Sequence, residues 1–407
     1  MGILKKWFGA GAVNKDMYML LLIGGLYSLS TALSNTFVNV YLWKQSGDFL
    51  DIGIYNLSIV FFQPFTFILA GRLAKKIDRV FVLRLGVIFL SSFFLCVLLV
   101  GGRATEFLVL LGGLLGVGYG FYWLAFNVLT FEITEPETRD FFNGFLGILS
   151  SFGGMVGPVL AGYIISNLTK NTGYTIIFGI SLSLFTISVI LSFFFVRRPA
   201  DGSYSFKKIW KERKNNLSWR MITNANFFQG IREGTFMFVI SVFVFIQTGS
   251  EMAIGNFGLI NSAISSVAYF LASRYIKGPM RKKAILAGGV MLYAAVFLIA
   301  YDVSYAKLLI YAAVIAVAYP VLLVPYVSMT YDVIGTAWNA AEMRIEYIVV
   351  REVFIHLGRF VSILGFIASV TLFRLEESLP IFLLMIGAGH LFIYFFVRKA
   401  HIAREAL

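Results

Sequence analysis

Cysteine is almost absent from this chain. The single one, Cys96, lies inside an apolar run, so neither an internal disulfide nor a thiolate metal site is available. Histidine is nearly as scarce: only His356, His390 and His401 occur, and no histidine-built metal centre or other cofactor is expected. Charge is thin too. Asp, Glu, Lys and Arg make up 14% of the 407 residues, too little to clothe a water-facing surface. No Gly-x4-Gly-Lys-Ser/Thr loop is present, which removes ATP as a direct energy source. No filter-like repeat suggests a channel. No lone nucleophile or His/Asp/Glu cluster suggests a membrane enzyme. The start, MGILKK, lacks the Ser or Thr of a myristoylation signal.

Apolar sequence is what the chain has in excess. Hydrophobic residues reach 59%, against the 45–50% usual for globular chains, and the mean hydropathy is +0.82. The lipid bilayer is the solvent that accepts this. A spanning helix needs about 20 mostly apolar residues, and twelve runs qualify. They are 16–43, 50–73, 80–101, 106–131, 141–167 and 172–196, then 221–248, 252–275, 284–302, 304–333, 341–373 and 379–398. The first is too long for the core of a signal peptide and reads as an uncleaved span.

The charges between the runs set an orientation. With both termini in the cytoplasm, 26 of the 34 Lys and Arg fall on the cytoplasmic side and five on the other, a strong positive-inside bias. The net charge of +13 is explained by this and by anionic lipid, so no nucleic-acid partner is expected. The chain also repeats itself. Shifted by 202 residues, AGRLAKKIDR (70–79) falls on ASRYIKGPMR (272–281). Shifted by 200, Thr130–Phe131–Glu132 falls on Thr330–Tyr331–Asp332. The expected organisation is a six-helix bundle over 1–196, a basic cytoplasmic connector over 197–220, and a second six-helix bundle with a short tail over 221–407. Parallel repeats of this kind usually meet around a midplane cavity.

Two stretches carry a resemblance. GRLAKKIDRV (71–80) follows the second span, and Gly71, Leu73, Ala74, Lys76 and Arg79 fit the pattern Gly-x-Leu-Ala-Asp-Arg-x-Gly-Arg-Arg. Lys75 and Asp78 depart from it. GFLGILSSFGGMVGPVLAG (144–162) holds six glycines and a proline. Gly144, Gly153, Gly157, Pro158 and Gly162 fit Gly-x8-Gly-x3-Gly-Pro-x2-Gly-Gly. With twelve spans arranged six plus six, the whole chain resembles the major facilitator superfamily, and within it a group of transporters of bacilli. The resemblance implies an all-α polytopic membrane protein, with twelve transmembrane helices in two pseudo-symmetric six-helix bundles. The fifth-span pattern is associated there with antiporters. Independently of that, small residues let helix backbones approach closely and Pro158 permits a bend. Plain tight packing would use the same residues. The loop cations can pair with Glu132, and Arg281 with Asp332, as a cytoplasmic gate. One residue seen in related proton-coupled drug exporters, a fourth-span Arg before Gly-x-Gly, is missing: Gly112 precedes Gly116-x-Gly118.

Ionisable residues inside spans are costly and usually functional. The seventh span carries Arg232 and Glu233 near the bilayer middle. In the eleventh, Glu352, His356 and Arg359 stand on one helical face, with Glu346 and Arg351 on neighbouring faces. Burial favours a neutral carboxyl and a nearby arginine favours a charged one, so such a group can exchange protons as a cavity opens. A static ion-pair network joining the two spans would use the same residues. The first half offers uncharged cavity candidates: Thr31, Asn35, Tyr122, Trp123 and Asn127. The expectation is a monomeric plasma-membrane carrier of a bacterium. It exchanges a small anionic, zwitterionic or amphipathic solute for protons by alternating access. A flippase for a lipid or lipid-linked precursor, or a multidrug efflux carrier, is the alternative.

Overall fold

The computed structural model describes residues 15–400, apart from 134–135, 169–170, 199 and 201. The charged N-terminal segment and the C-terminal tail, both expected on the cytoplasmic side, lie outside the described residues. The fold is all-α, with no strand among the described residues. The first six spanning helices are α1 (Lys15–Ser46), α2 (Phe49–Lys76), α3 (Arg79–Val100), α4 (Leu108–Ile133), α5 (Pro136–Asn167) and α6 (Thr172–Ser192). The next five are α7 (Leu217–Thr248), α8 (Glu251–Tyr275), α9 (Arg281–Ala300), α10 (Tyr305–Gly335) and α11 (Arg344–Leu372). The last, α12 (Leu375–Val397), is interrupted at Ala388.

Polar residues at the ends of the apolar runs start the helices. Asp48, Asp78, Asn216 and Ser304 each accept a backbone N–H in the first turn of α2, α3, α7 and α10, which satisfies donors that the helix itself leaves orphaned. Asp78, the departure noted in the loop pattern, is therefore the N-cap of α3, and its second oxygen accepts from the Arg198 backbone.

The internal repeat is visible in the packing. In the first six helices α1 packs on α5 and α6, α2 on α4, and α3 on α4 and α6; each pairing recurs six helices later. Glycine marks equivalent crossings. Gly86 of α3 lies against the backbone of Tyr122 in α4, and Gly288 of α9 against that of Leu322 in α10. Two further pairs, α5 with α8 and α2 with α11, join the two groups of six.

The 197–220 segment is not a loose tether. Its short helix, Phe206–Glu212, stacks Trp210 on Phe354 of α11 at 4.9 Å and buries Ile209 beneath Trp219. Backbone bonds from Ala200 to Ile77 and from Gly202 to Lys75 fasten it to the end of α2. We call this the connector end of the bundle, and the opposite one the far end.

Candidate functional site

Backbone contact between α7 and α11 builds the centre of the site. Gly230 faces the Ile355 carbonyl and Gly358 faces the Phe227 carbonyl, so closely that a Cβ at either would collide with backbone. Only glycine permits this approach. One turn on, the crossing sets Glu233 of α7 opposite Arg359 of α11.

Glu233 is the hub. Its Oε2 accepts from Arg359 Nη2 at 2.6 Å and Nε at 3.3 Å. Its Oε1 accepts from Gln229 Nε2 at 2.8 Å and the Tyr319 phenol at 2.7 Å. All these groups come from the second six helices. His356 extends the network, with Nε2 3.3 Å from Arg359 Nη1 and Nδ1 2.8 Å from the Glu352 carbonyl. An arginine only donates. Nε2 is thus the acceptor and Nδ1 carries the proton, which makes His356 neutral here. His390 of α12 is wholly buried, with Nε2 3.9 Å from Glu233 Oε1 and neither ring nitrogen hydrogen-bonded.

The hub lines a cavity of about 640 Å³ between the two groups of helices, within the size range of small-molecule sites. Its walls differ sharply. Arg351, Glu352, His356, Arg359 and Glu233 face it from α7 and α11. Asn35, Trp123 and Asn127 face it from α1 and α4, joined by Asn39, Asn56, Gln63 and Tyr119. Arg351 Nη1 is 3.5 Å from Glu352 Oε1, and its guanidinium lies 5.7 Å from the centre of the Tyr331 ring. Asn35 is bonded to the Tyr119 phenol at 2.6 Å. Thr31 and Tyr122 do not reach this cavity: Thr31 bonds back to the Tyr27 carbonyl, and Tyr122 stacks on Tyr27 at 4.1 Å. Arg232 points elsewhere, into an adjoining chamber.

Glu346 is not part of the hub. It sits at the connector end, fully buried, bonded to Lys75 of α2 at 2.6 Å and to the Ser205 backbone at 3.1 Å. Gly71 packs beneath Val349 and Tyr204 there. Burial and the Glu346 carboxylate raise the Tyr204 phenol above its ordinary pKa. Arg79 meets Glu132 at 2.6 Å and Arg281 meets Asp332 at 2.7 Å, the same pair in each repeat. Each stays within one group of six. Lys75–Glu346 is an ion pair that crosses between the groups at this end, while Lys76 is exposed. At the far end Lys44 of α1 meets Glu251 of α8 at 2.7 Å, and the Tyr174 phenol donates to the same oxygen at 3.0 Å.

The glycine-rich stretch divides between two neighbours. Gly153 and Gly157 face α1 at Leu29 and Ala32, while Gly154, Pro158 and Gly162 face α8 at Ser262, Gly255 and Glu251. Beyond Gly154 the seam ends: nothing lies within 4 Å of where Gly147 and Gly144 would carry a Cβ. The α5–α8 seam is closed toward the far end and open toward the connector end.

Comparison with known proteins agrees with this architecture. A model of the Major Facilitator Superfamily matches residues 20–363. The Bacillus subtilis protein YqgE is 62% identical over 398 residues, 98% of this chain and 93% of that one. A Geobacillus stearothermophilus protein named for the sodM 3' region is 65% identical over 178 residues, 44% of this chain and 83% of that one. Among solved structures, the human organic anion transporter MFSD10 superposes with a TM-score of 0.68 at 13% identity, covering 94% of this chain and 98% of that one. A variant of the nucleoside transporter NupG gives 0.71 at 14%, covering 94% and 99%.

Proposed function

The chain belongs to the Major Facilitator Superfamily, a family of membrane carriers of small molecules, and from that premise we propose that it couples the movement of an organic solute to that of protons. The solute is anionic or zwitterionic, and transport proceeds by alternating access. The observation that carries the reading is Glu233, a carboxylate 7% exposed in the cavity wall and held by Arg359, Gln229 and Tyr319. Protonating it removes the negative partner of Arg359. That frees a guanidinium for a substrate anion, or the reverse as the proton leaves. The Glu233 carboxylate and the solute anion thus compete for one guanidinium, and the proton on Glu233 decides which of them holds it, which couples solute binding to protonation. Arg351, whose nearest carboxylate is at 3.5 Å, is the second cation offered to the solute. Helices α7 and α11 supply the charge, and the amides and aromatics of α1, α2 and α4 supply shape and hydrogen bonds.

The open α5–α8 seam supports reading this form as open toward the connector end. The excess of Lys and Arg there supports placing that end in the cytoplasm.

The direct test is reconstitution in liposomes with an imposed pH gradient and a panel of anionic, zwitterionic and cationic solutes. Accumulation of an anion or zwitterion that follows the gradient, and is lost in Glu233→Gln, supports the reading. Gradient-driven flux at the wild-type rate in Glu233→Gln removes it.

One observation favours a lipid as cargo. An almost wholly apolar groove of about 480 Å³ lies between α2 and α11, roofed by Lys207 and Lys211 of the connector helix. His356 lines both this groove and the central cavity. Flipping of a fluorescent anionic phospholipid in the same liposomes would select this second reading.

A further inference from the structure

Arg232 stands apart from the other buried charges. Only 5% of it is exposed. It precedes Glu233 by one residue on α7, and a step of roughly 100° turns its side chain away from the hub. The guanidinium donates to the Tyr311 phenol at 3.4 Å and lies 4.7 Å from the centre of the Phe236 ring. Both partners are neutral, and Nε has none. Among the described residues no carboxylate comes within ion-pair distance of it, unlike Arg359. An arginine cannot escape burial by losing its proton. Without an anion, most of its desolvation cost stands uncompensated.

The side chain lines a second chamber of about 560 Å³, bounded by α5, α7, α8 and α10 and contiguous with the first through Glu233, Tyr319 and Arg359. The α8 wall of this chamber is rich in hydroxyl and amide groups: Asn261, Ser262, Ser265 and Tyr269. Phe236 and Tyr311 add ring faces.

We propose that Arg232 is the anion-binding point of a second subsite, and that this chamber takes an oxyanion carried on a hydroxylated body, the chemistry of sugar acids and sugar phosphates. The guanidinium fork matches a carboxylate or phosphate. The α8 hydroxyls and amide match the hydroxyls of the body, and the ring faces match its carbon skeleton. The proposal deepens the transport reading by naming a solute class, and it rests on the cavity being a solute site. It requires neither proton coupling nor a direction.

Binding without any pH gradient is therefore the test, so that its failure and the failure of proton coupling are separable. The full-length protein in nanodiscs is titrated calorimetrically with glucuronate, glucose 6-phosphate and glucose, and its thermal unfolding is followed. The expected result is binding of at least one of the two anions and none of glucose; which anion binds tells carboxylate from phosphate. Arg232→Gln weakens that binding at least tenfold and Arg232→Lys less. Ligand-free Arg232→Gln unfolds no earlier than the parent, because an uncompensated buried charge has been removed. Equal anion affinity in Arg232→Gln, no binding of either anion, or earlier unfolding of the ligand-free variant would each overturn the assignment. The last would make Arg232 a structural residue.

Discussion

At the scale of single residues, Glu233 and Arg359 are not interchangeable in their consequences. Glu233→Gln keeps the hydrogen-bonding shape and removes the titrating group. It should abolish pH-driven transport while the protein still reaches the membrane folded, as fluorescence-detected size exclusion would show. Arg359→Ala leaves a buried carboxylate without its cation, a change that typically costs about 3–5 kcal/mol. It should lower the thermal unfolding midpoint in detergent far more than Glu233→Gln does, and Glu233→Gln combined with Arg359→Gln should recover part of the loss. Arg351→Ala, which breaks only a 3.5 Å contact with Glu352, is expected to abolish transport with little change in stability. Charged residues in α7 and α11 were legible as a cluster because each sits inside an apolar run. The tyrosine and glutamine that complete the hub were not, since Tyr319 and Gln229 are ordinary residues at their positions and acquire a role only by facing Glu233. His390 carries a signal in the sequence, an isolated histidine in the last span.

At the scale of elements, glycine positions decide how the helices register. A Cβ at Gly162 would stand 2.7 Å from the Glu251 carbonyl oxygen, and backbone cannot yield. Gly162→Val should therefore part α5 from α8 at the far end, and a disulfide engineered across that seam should form more slowly than in the parent. Gly358→Leu should be more severe, because it separates α7 from α11 and pulls Arg359 away from Glu233. Loss of both transport and thermal stability is the expected outcome. The twelve spans and the glycine-rich α5 were legible from composition and spacing. That the α5 glycines serve two partners, α1 on one face and α8 on the other, was not. Spacing along one helix tells which residues share a face but does not name the neighbour.

At the scale of the whole molecule, ion pairs bridge the groups of six at opposite ends among the described residues: Lys75–Glu346 with exposures of 9% and 0%, and Lys44–Glu251 with 36% and 8%. Both hold here, while the α5–α8 seam is open toward the connector end only. Removing one partner of the drier pair leaves a buried charge uncompensated and costs more than the same change at the more exposed pair. Lys75→Gln should accordingly speed labelling of cavity cysteines from the connector end, whereas Lys44→Gln should change that rate little. The repeat was legible, and with it the equivalent pairs Arg79–Glu132 and Arg281–Asp332. Latches between the groups follow no internal period, because Lys75 and Glu346 belong to non-equivalent places in the two repeats. The most direct measurement of the central claim, that protonation of Glu233 turns the carrier, is pulsed electron–electron distance spectroscopy on a Cys96→Ser background. One spin-label pair sits at Ile148 and Phe270 toward the connector end, the other at Arg103 and Arg374 at the far end. Glu233→Gln, which stands in for the protonated carboxyl, should shorten the first distance and lengthen the second relative to the parent at one neutral pH. Distances in Glu233→Gln that match the parent's at both ends would contradict the account.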